Sequence, residues 1–471
     1  MHRSGLEGRE TLMRSGTFFA LWICRKARPP QVVRRARVFV FGLLLCLSWV
    51  PAEAQLRSLS ILHTNDLHAH LLPDARQQGG FAQIAAVLRR ETAGCNSCLI
   101  LNAGDLVQGT PVSTLYQGVP IYEIANLLGF DASVLGNHEF DYGWRKIPEY
   151  IRLARFPIIA ANVADERGRL LAKQAYVILP VNGIRVAVIG ALTADLPNLT
   201  TANLLGPWRA RPVVDAVRRS AREASQKADL IVVLGHLNPI EEDALLREAP
   251  EVAVVVSGHV HAGLESPKNS DGRVAVRLRA YGEEIGRLDL EVDLEKKAVV
   301  KSSWKRIPVN AATTPPAEDV ARAVELWESK VRKIVDVPIG TAKRGFTREE
   351  LVPVIEQAMA EEMGTDLAFI QVGGIRDSLP PGTILARHVW NIIPFDNKMV
   401  AGTFQGRELP PAVTAGRSLD PNREYTLAVS DFVASAQRAE LGVTGLKFSR
   451  RTNRLQRDLL IDWIKKKKVL E

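Results

Sequence analysis

The sequence has few cysteines, few aromatics and no long apolar run. Four Cys in 471 residues exclude a disulfide-built scaffold. Phe, Trp and Tyr make up 6% of the chain, while 46% hydrophobic and 24% charged residues exclude a wholly disordered chain. The 34 Gly follow no three-residue period, so a collagen-like rod is excluded. The one strongly apolar run, residues 38–50, falls short of the about 20 residues of a membrane-spanning helix, which argues against a polytopic membrane protein. Acidic residues are outnumbered, giving a net charge of +9, but residues 1–54 hold nine Lys/Arg against three Glu. Two thirds of the excess therefore lies in the first 54 residues. Part of the rest is the terminal run Lys465 to Lys468, a solvated tail, so a nucleic-acid polymer is not an expected partner.

The first 54 residues read as an export signal. Arg34, Arg35 and Arg37 flank the apolar run, and Ala52-Glu53-Ala54 supplies small residues for cleavage after Ala54. The expected location is the periplasm or the extracellular space, with no stable membrane insertion once the signal is removed; an uncleaved signal would act as an anchor. The 33 residues before Arg34 are long for such a signal, which places the expected translation start near Val32 or Val33. Cys24 and Cys46 would leave with the signal. Cys95 and Cys98 remain, as a structural disulfide or two free thiols. A zinc ribbon would need a second pair, and a thioredoxin-like motif would open a helix, whereas this pair precedes a strand.

From 59 to 260, short β-branched runs alternate with amphipathic stretches. Strands are expected at 59–63, 99–102, 132–135, 158–161, 184–190, 230–235 and 252–257, and helices at 80–91, 121–128, 213–227 and 241–248. Such alternation specifies a layered α/β domain. Segments 274–280, 285–292 and 299–308 have hairpin character and extend the sheet. Residues 310–316 (NAATTPP) read as a linker, and 318–335 as a connecting helix. The expected organisation is a domain at 55–309, a linker and helix at 310–336, and a smaller mixed α/β domain at 337–471.

Polar residues gather at the carboxyl ends of the expected strands: His63-Thr-Asn-Asp66-Leu-His68, Asn102-Ala-Gly-Asp105, Gly136-Asn137-His138-Glu139-Phe140-Asp141, Gly235-His236 and Gly258-His259-Val-His261. Ligands of open α/β sheets bind beyond those ends. Two Asp, one Asn and four His offer hard oxygen and imidazole nitrogen, a set for divalent Mn, Zn, Co or similar ions. Seven donors exceed one tetrahedral centre and suit two centres sharing a carboxylate. A glycine beside Asp105, Asn137, His236 and His259 allows sharp turns and close approach.

This series resembles the signature of the calcineurin-like metallophosphoesterases. The His63-Thr-Asn-Asp66-Leu-His68 form, with Gly136 to Asp141, is similar to the branch of 5′-nucleotidases, UDP-sugar hydrolases and 2′,3′-cyclic phosphodiesterases. The resemblance implies a β-sheet sandwich flanked by helices, followed by a substrate-binding C-terminal domain. It implies two divalent ions, one held by Asp66, His68, Asp105 and His261, the other by Asp105, Asn137, His236 and His259. A metal-activated hydroxide would attack phosphorus in line, with His138 and Asp141 as the catalytic pair. Glu139 is expected to be structural. The implied substrate is a small phosphate ester, foremost a 5′-nucleotide; diesters, pyrophosphates and non-nucleotide phosphates are the alternatives. A non-catalytic nucleotide- or metal-binding envelope protein is the reading from a different class.

The resemblance continues into the C-terminal part. Gly373-Gly374-Ile375-Arg376 resembles a segment whose Arg contacts phosphate, with Gln371 in place of Asn. Asn391 to Asn397 resembles the segment whose Phe, here Phe395, stacks on a base and whose Asn, here Asn397, reads its edge. Arg348 stands near the position of a second phosphate arginine. Relatives carry a Gly-Gly-Asp-Gly-aromatic stretch where this chain has Ala436-Gln437-Arg438-Ala439-Glu440, so a second stacking ring is not expected from that loop. Val352-Pro353-Val354-Ile355 replaces a Gly-Asn-Leu segment.

Overall fold

The computed structural model describes residues 55–471; the export signal read at 1–54 lies outside the described residues. Two six-stranded sheets dominate the first half. One has the spatial order Ala298–Pro308, Glu284–Asp293, Leu56–Thr64, Cys98–Asn102, Ala132–Val134 and Ile158–Ile159. The other runs Lys268–Ser270, Arg273–Arg277, Val254–Gly258, Leu230–His236, Ile184–Leu192 and Tyr176–Val181. Central strands of both are parallel, which aims several carboxyl ends at one edge.

Side-chain alternation builds the layers. Leu59, Ile61, Leu99 and Leu101 face Val186, Val188, Val232, Leu234, Val254 and Val256 in one apolar layer between the sheets. The intervening Ala187, Ile189, Val233 and Val255 point outward, where the helices Val213–Ala224 and Pro239–Glu248 cover them. Leu62 points to the opposite outer layer, with Phe81, Ile84 and Leu88 of the helix Phe81–Thr92. Strands buried on both faces explain the continuous Val252-Ala-Val-Val-Val256 run. The helix Pro239–Glu248 starts where Asn238 accepts from the Glu241 N–H and the Glu241 side chain returns the bond; Pro at its first turn fits the fixed helical φ.

The alternation expected from sequence is present, and several segments differ. The strand expected at 158–161 shortens to Ile158–Ile159. The backbone there passes under Gly190, where a Cβ would stand 2.4 Å from the Ile159 carbonyl oxygen. Tyr176–Val181 is an unexpected edge strand, paired to Ile184–Leu192 through Asn182-Gly183, both at positive φ. Segment 310–316 is pinned: Ala311 N–H donates to the Gln77 carbonyl and Ala317 N–H to that of Ala82. The helix Glu318–Val335 buries Val320, Val324, Val331 and Val335 in the first half's core.

The C-terminal part is a smaller mixed α/β unit. A four-stranded sheet (Leu367–Ala368, Glu424–Ser430, Lys398–Gln405, Arg450–Leu455) and a three-stranded one (Gly382–Leu385, Pro338–Ala342, Val469–Leu470) pack with the helices Arg348–Met363 and Gln456–Lys467. Cys95 and Cys98 form a disulfide at the start of Cys98–Asn102. Among the described residues, no helix is long and apolar enough to cross a membrane.

The connecting helix is locked to the C-terminal part by charge. Arg387 donates to Glu328 (2.9 Å) and Asp336 (2.5 Å), and Glu328 is only 2% exposed. Arg387→Ala leaves that carboxylate buried without its cation. The expected outcome is a loss of about 3 kcal/mol in urea unfolding, whereas an equivalent change at the exposed Arg322–Glu318 pair costs under about 1 kcal/mol.

Candidate active site at the edge of the sandwich

The donor residues follow strand ends of both sheets. Asp66 and His68 lie beyond Leu56–Thr64, Asp105 beyond Cys98–Asn102, and Asn137 and His138 beyond Ala132–Val134. His236 ends Leu230–His236, and His259 and His261 lie beyond Val254–Gly258. Asp66, His68, Asp105, His259 and His261 all adopt positive φ, between 45° and 86°. Non-glycine residues rarely do so, and their concentration here marks a strained, over-determined site. Sequence spacing gave no sign of that strain. Cross-strand bonds hold it in place: Asp66 N–H donates to the Gly104 carbonyl, and His68 N–H to that of Asp105, both at 3.0 Å.

Glycines make room. A Cβ on Gly136 would sit 2.1 Å from the Asp105 carboxylate, and one on Gly258 would sit 2.6 Å from the Ala103 carbonyl. Glu139, 1% exposed, braces the turn by accepting from the N–H groups of Asp105 (3.2 Å), Leu106 (3.0 Å) and Gly136 (2.6 Å). Burial, with Asp105 nearby, raises its carboxyl to about 7.

Ligand atoms converge in three overlapping triads: Asp66, His68, His261; His68, Asp105, His138; and Asp66, Asp105, His236. Within each triad they lie within 4.8 Å of one another. Asp105 Oδ2 stands 3.1 Å from His236 Nε2 and 3.7 Å from His68 Nε2. His236 Nε2 is also 3.1 Å from Asn137 Oδ1, while its Nδ1 pairs with the Ala103 carbonyl at 2.8 Å. Nε2 of His68 and His261 are 2.9 Å apart. The His259 ring lies 5.0 Å from that of His236, and the His259 backbone N–H donates to both Asp66 oxygens at 3.0 Å. Six of the seven expected donors thus bring ligand atoms together, and the ring of the seventh, His259, lies beside that of His236.

The site's electrostatics fit a cation. Burial raises the Asp66 carboxyl to about 6, with His236 opposing and Asp105 adding to the rise. Burial lowers His259 to about 3 and His261 to about 2, and pushes His68 well below the usual imidazole value. These three rings are neutral at pH 7 and offer lone pairs. Burial opposes charge on His236, but Asp105 prevails and lifts it to about 10. A cation between these groups would take the place of that proton. The donors are oxygen and imidazole, with no thiolate, as hard or borderline divalent ions require.

Beside the donors opens a cavity of about 350 Å³, walled by both halves of the chain. His138 lines it, its Nδ1 2.8 Å from Asp141 Oδ2. Burial works against charge on His138, but Asp141 and Asp105 outweigh it and raise its pKa. Arg376, Phe395 and Asn397 line the C-terminal wall. The Phe395 ring lies 6.0 Å from that of His138, and the Arg376 guanidinium 6.0 Å from the Phe395 ring. Arg376 Nη2 is buried without a partner among the described residues. Arg457, 2% exposed, holds this wall by pairing with Asp396 at 2.7 Å and donating to the Pro394 and Phe395 carbonyls.

One expected contact is not brought in. Arg348 is outside the cavity lining and donates to the Val372 carbonyl at 3.1 Å, from the first turn of the helix Arg348–Met363. The cavity lining also includes Gln108, Tyr142, Phe432 and Glu440, which no sequence motif assigns to a site. Phe432 supplies a second phenylalanine to the cavity from just upstream of 436–440. Its adjacency to the capping Ser430 was the available signal. Glu440 carries no side-chain hydrogen bond among the described residues, and burial raises its pKa.

Gly136→Ala drives a methyl into the Asp105 carboxylate. The expected outcome is loss of at least half of the bound divalent metal after reconstitution and dialysis, read by elemental analysis against the unaltered chain.

Comparison with known proteins agrees with this fold. A model of the calcineurin-like phosphoesterases matches residues 59–263, and one of the 5′-nucleotidase C-terminal domain matches residues 335–415. The chain is 26% identical to the endonuclease YhcR of Bacillus subtilis, over 82% of this chain but only 38% of that one. It is 25% identical to UshA of Yersinia enterocolitica, over 83% of this chain and 81% of the relative. A solved 5′-nucleotidase precursor from Thermus thermophilus superposes with a TM-score of 0.79 at 25% identity, covering 88% of this chain and 97% of that one. The sulfate thiohydrolase SoxB from the same organism shares the fold, with a TM-score of 0.75 at 18% identity over 88% of this chain and 94% of that one. The chain carries a calcineurin-like metallophosphoesterase domain followed by a 5′-nucleotidase C-terminal domain.

Proposed function

We propose that the chain is an exported hydrolase of phosphomonoesters, with 5′-nucleotides as its foremost substrates. The observation that carries this reading is the junction of the donor cluster with a cavity that presents His138–Asp141 on one wall and Arg376, Phe395 and Asn397 on the other. Asp66, His68, Asp105 and His261 would hold one divalent ion; Asp105, Asn137, His236 and His259 would hold the second. The shared role of Asp105 is supported by its approach to both His68 and His236 through one oxygen. Divalent ions at such a site supply Lewis acidity toward phosphoryl oxygens and lower the pKa of water.

The chain's own groups do the rest. Arg376 brings a buried, unpaired N–H to an anionic oxygen of the substrate. Asp141 fixes the His138 ring through Nδ1, which leaves Nε2 to face the departing oxygen. The phosphorus–oxygen bond to that group breaks, a water oxygen joins phosphorus, and His138 donates the proton that the leaving alkoxide needs. Phe395 and Phe432 give flat apolar surface for a base, and Asn397 an amide for its edge. Segment 337–471 would then be the substrate-binding domain. Names of relatives such as the 5′-nucleotidase of Vibrio vulnificus, 26% identical over 74% of each chain, support the same substrate class.

Manganese-reconstituted protein should release phosphate from 5′-AMP with a kcat/KM at least tenfold above that for ribose 5-phosphate, about 1.4 kcal/mol of transition-state discrimination by the base. Turnover of UDP-glucose or 2′,3′-cyclic AMP without 5′-AMP would replace the nucleotidase reading by that of a pyrophosphate or diester hydrolase. His138→Ala should lower kcat by about 10²–10⁴ while metal content holds. Export is read by N-terminal sequencing of the secreted product, which should begin at Gln55.

A further inference from the structure

Gln108 is the most conspicuous polar residue that the reading above leaves without a task. It is 1% exposed and lines the cavity together with Asn137 and His138. Neither its Oε1 nor its Nε2 has a hydrogen-bond partner among the described residues. Buried amides in protein interiors are normally satisfied, and an amide with both ends unpaired is costly to keep. The backbone adds a second cost, because Gln108 is held at φ +69°.

The surroundings hold that conformation firmly. The Gln108 N–H donates to Ser113 Oγ at 2.9 Å, and the Tyr142 hydroxyl donates to the same oxygen at 3.1 Å. Gly109 follows at φ +120°, where a Cβ would lie 2.5 Å from the His68 carbonyl oxygen. Thr110 Oγ1 donates to the Ala69 carbonyl at 2.8 Å. The segment is therefore stitched to the stretch that carries His68. A purely structural glutamine clamped this well would be expected to use its amide, and this one does not.

We propose that the Gln108 amide binds the phosphoryl group of the substrate, with Nε2–H donating to a non-bridging oxygen and Oε1 accepting from the water that attacks phosphorus. This rests on the hydrolase reading above. The chemistry of the two free ends selects the ligand. A cation would engage only Oε1 and an apolar group neither end, whereas a hydrated tetrahedral oxyanion offers acceptors and a donated proton together. Gln108 would thus add a neutral, directional contact to the charged one made by Arg376. The cost of keeping the amide unpaired would be offset when substrate arrives.

The test uses the full chain loaded with manganese, with Gln108→Leu and Gln108→Glu. Inhibition by orthovanadate, which resembles the transferring phosphoryl group, is measured against p-nitrophenyl phosphate turnover, or by calorimetric binding where turnover is lost. Thermal midpoints of the metal-free proteins and metal content are measured alongside. The expected result is orthovanadate affinity weakened at least tenfold in Gln108→Leu, with metal content unchanged and a midpoint equal to or above that of the parent. Gln108→Glu keeps the size but places an anion against the oxyanion, so its affinity should fall at least as far. A lowered midpoint with unchanged orthovanadate affinity would show a structural amide and overturn the proposal. So would loss of bound metal in Gln108→Leu. If the parent binds orthovanadate but hydrolyses no phosphomonoester, the hydrolase reading fails while the binding comparison still decides the role of Gln108. If the parent hydrolyses and both variants bind orthovanadate like the parent, only the Gln108 proposal fails.

Discussion

Two buried carboxylates, Asp66 and Asp105, impose the constraint that the rest of the site serves. Both are at most 1% exposed and lie in one cluster with His236. Charge so far from water must be answered locally. The His259 N–H donates to both oxygens of Asp66, Asn65 donates to one of them at 2.6 Å, and the His138 N–H donates to Asp105 at 2.9 Å. These bonds leave the cluster short of positive charge, which His236 meets in part and which divalent ions would meet fully. A third buried carboxylate, Glu139, stands behind the cluster and gathers the backbone N–H groups of the turns that carry Asp105 and Asn137.

The sandwich makes that arrangement mechanically possible. Five donors in the left-handed region and several glycine contacts under 3 Å from a notional Cβ would not persist on an isolated loop. They persist because each follows a strand buried on both faces, and the apolar layer between the sheets leaves those strands no alternative register. Strain is concentrated at the edge, and the packing that sustains it lies one layer below. The C-terminal part contributes no member of the metal-donor set. It closes the cavity with Arg376, Phe395 and Asn397 on a wall held by Arg457, and Thr114 of the first half donates to the Pro394 carbonyl at 3.2 Å.

Most of the sheet was legible because strands buried on both faces read as short, continuous β-branched runs bounded by polar turns. The hairpin strand Tyr176–Val181 is not legible from its composition, because it is an edge strand with half-exposed residues and a proline at 180, even though Asn182-Gly183 marks its turn. The metal-donor set was legible because each donor lies within a few residues of a strand end, a local relation. Gln108 and Tyr142 follow Asp105 and Asp141 closely and Phe432 follows Ser430, but only the packing around the cavity brings them together with Glu440. Arg348 illustrates the converse: it is close in sequence to where a phosphate arginine is expected, yet its helix turns the guanidinium onto the Val372 carbonyl.

By itself the sequence determined the element types, the donor chemistry and the presence of a second unit, since periodicity, capping and side-chain identity are written in short windows. The expected pairing of Cys95 with Cys98 was one of two open readings, and the fold decided for the disulfide. Only the tertiary structure decided which groups meet. Asp66 and His259 bond across 193 residues, and Arg387 and Glu328 across 59. Such meetings depend on how the layers pack, and so does the isolation of an amide like that of Gln108, because a hydrogen-bond partner is present or absent only when the whole surrounding shell is in place.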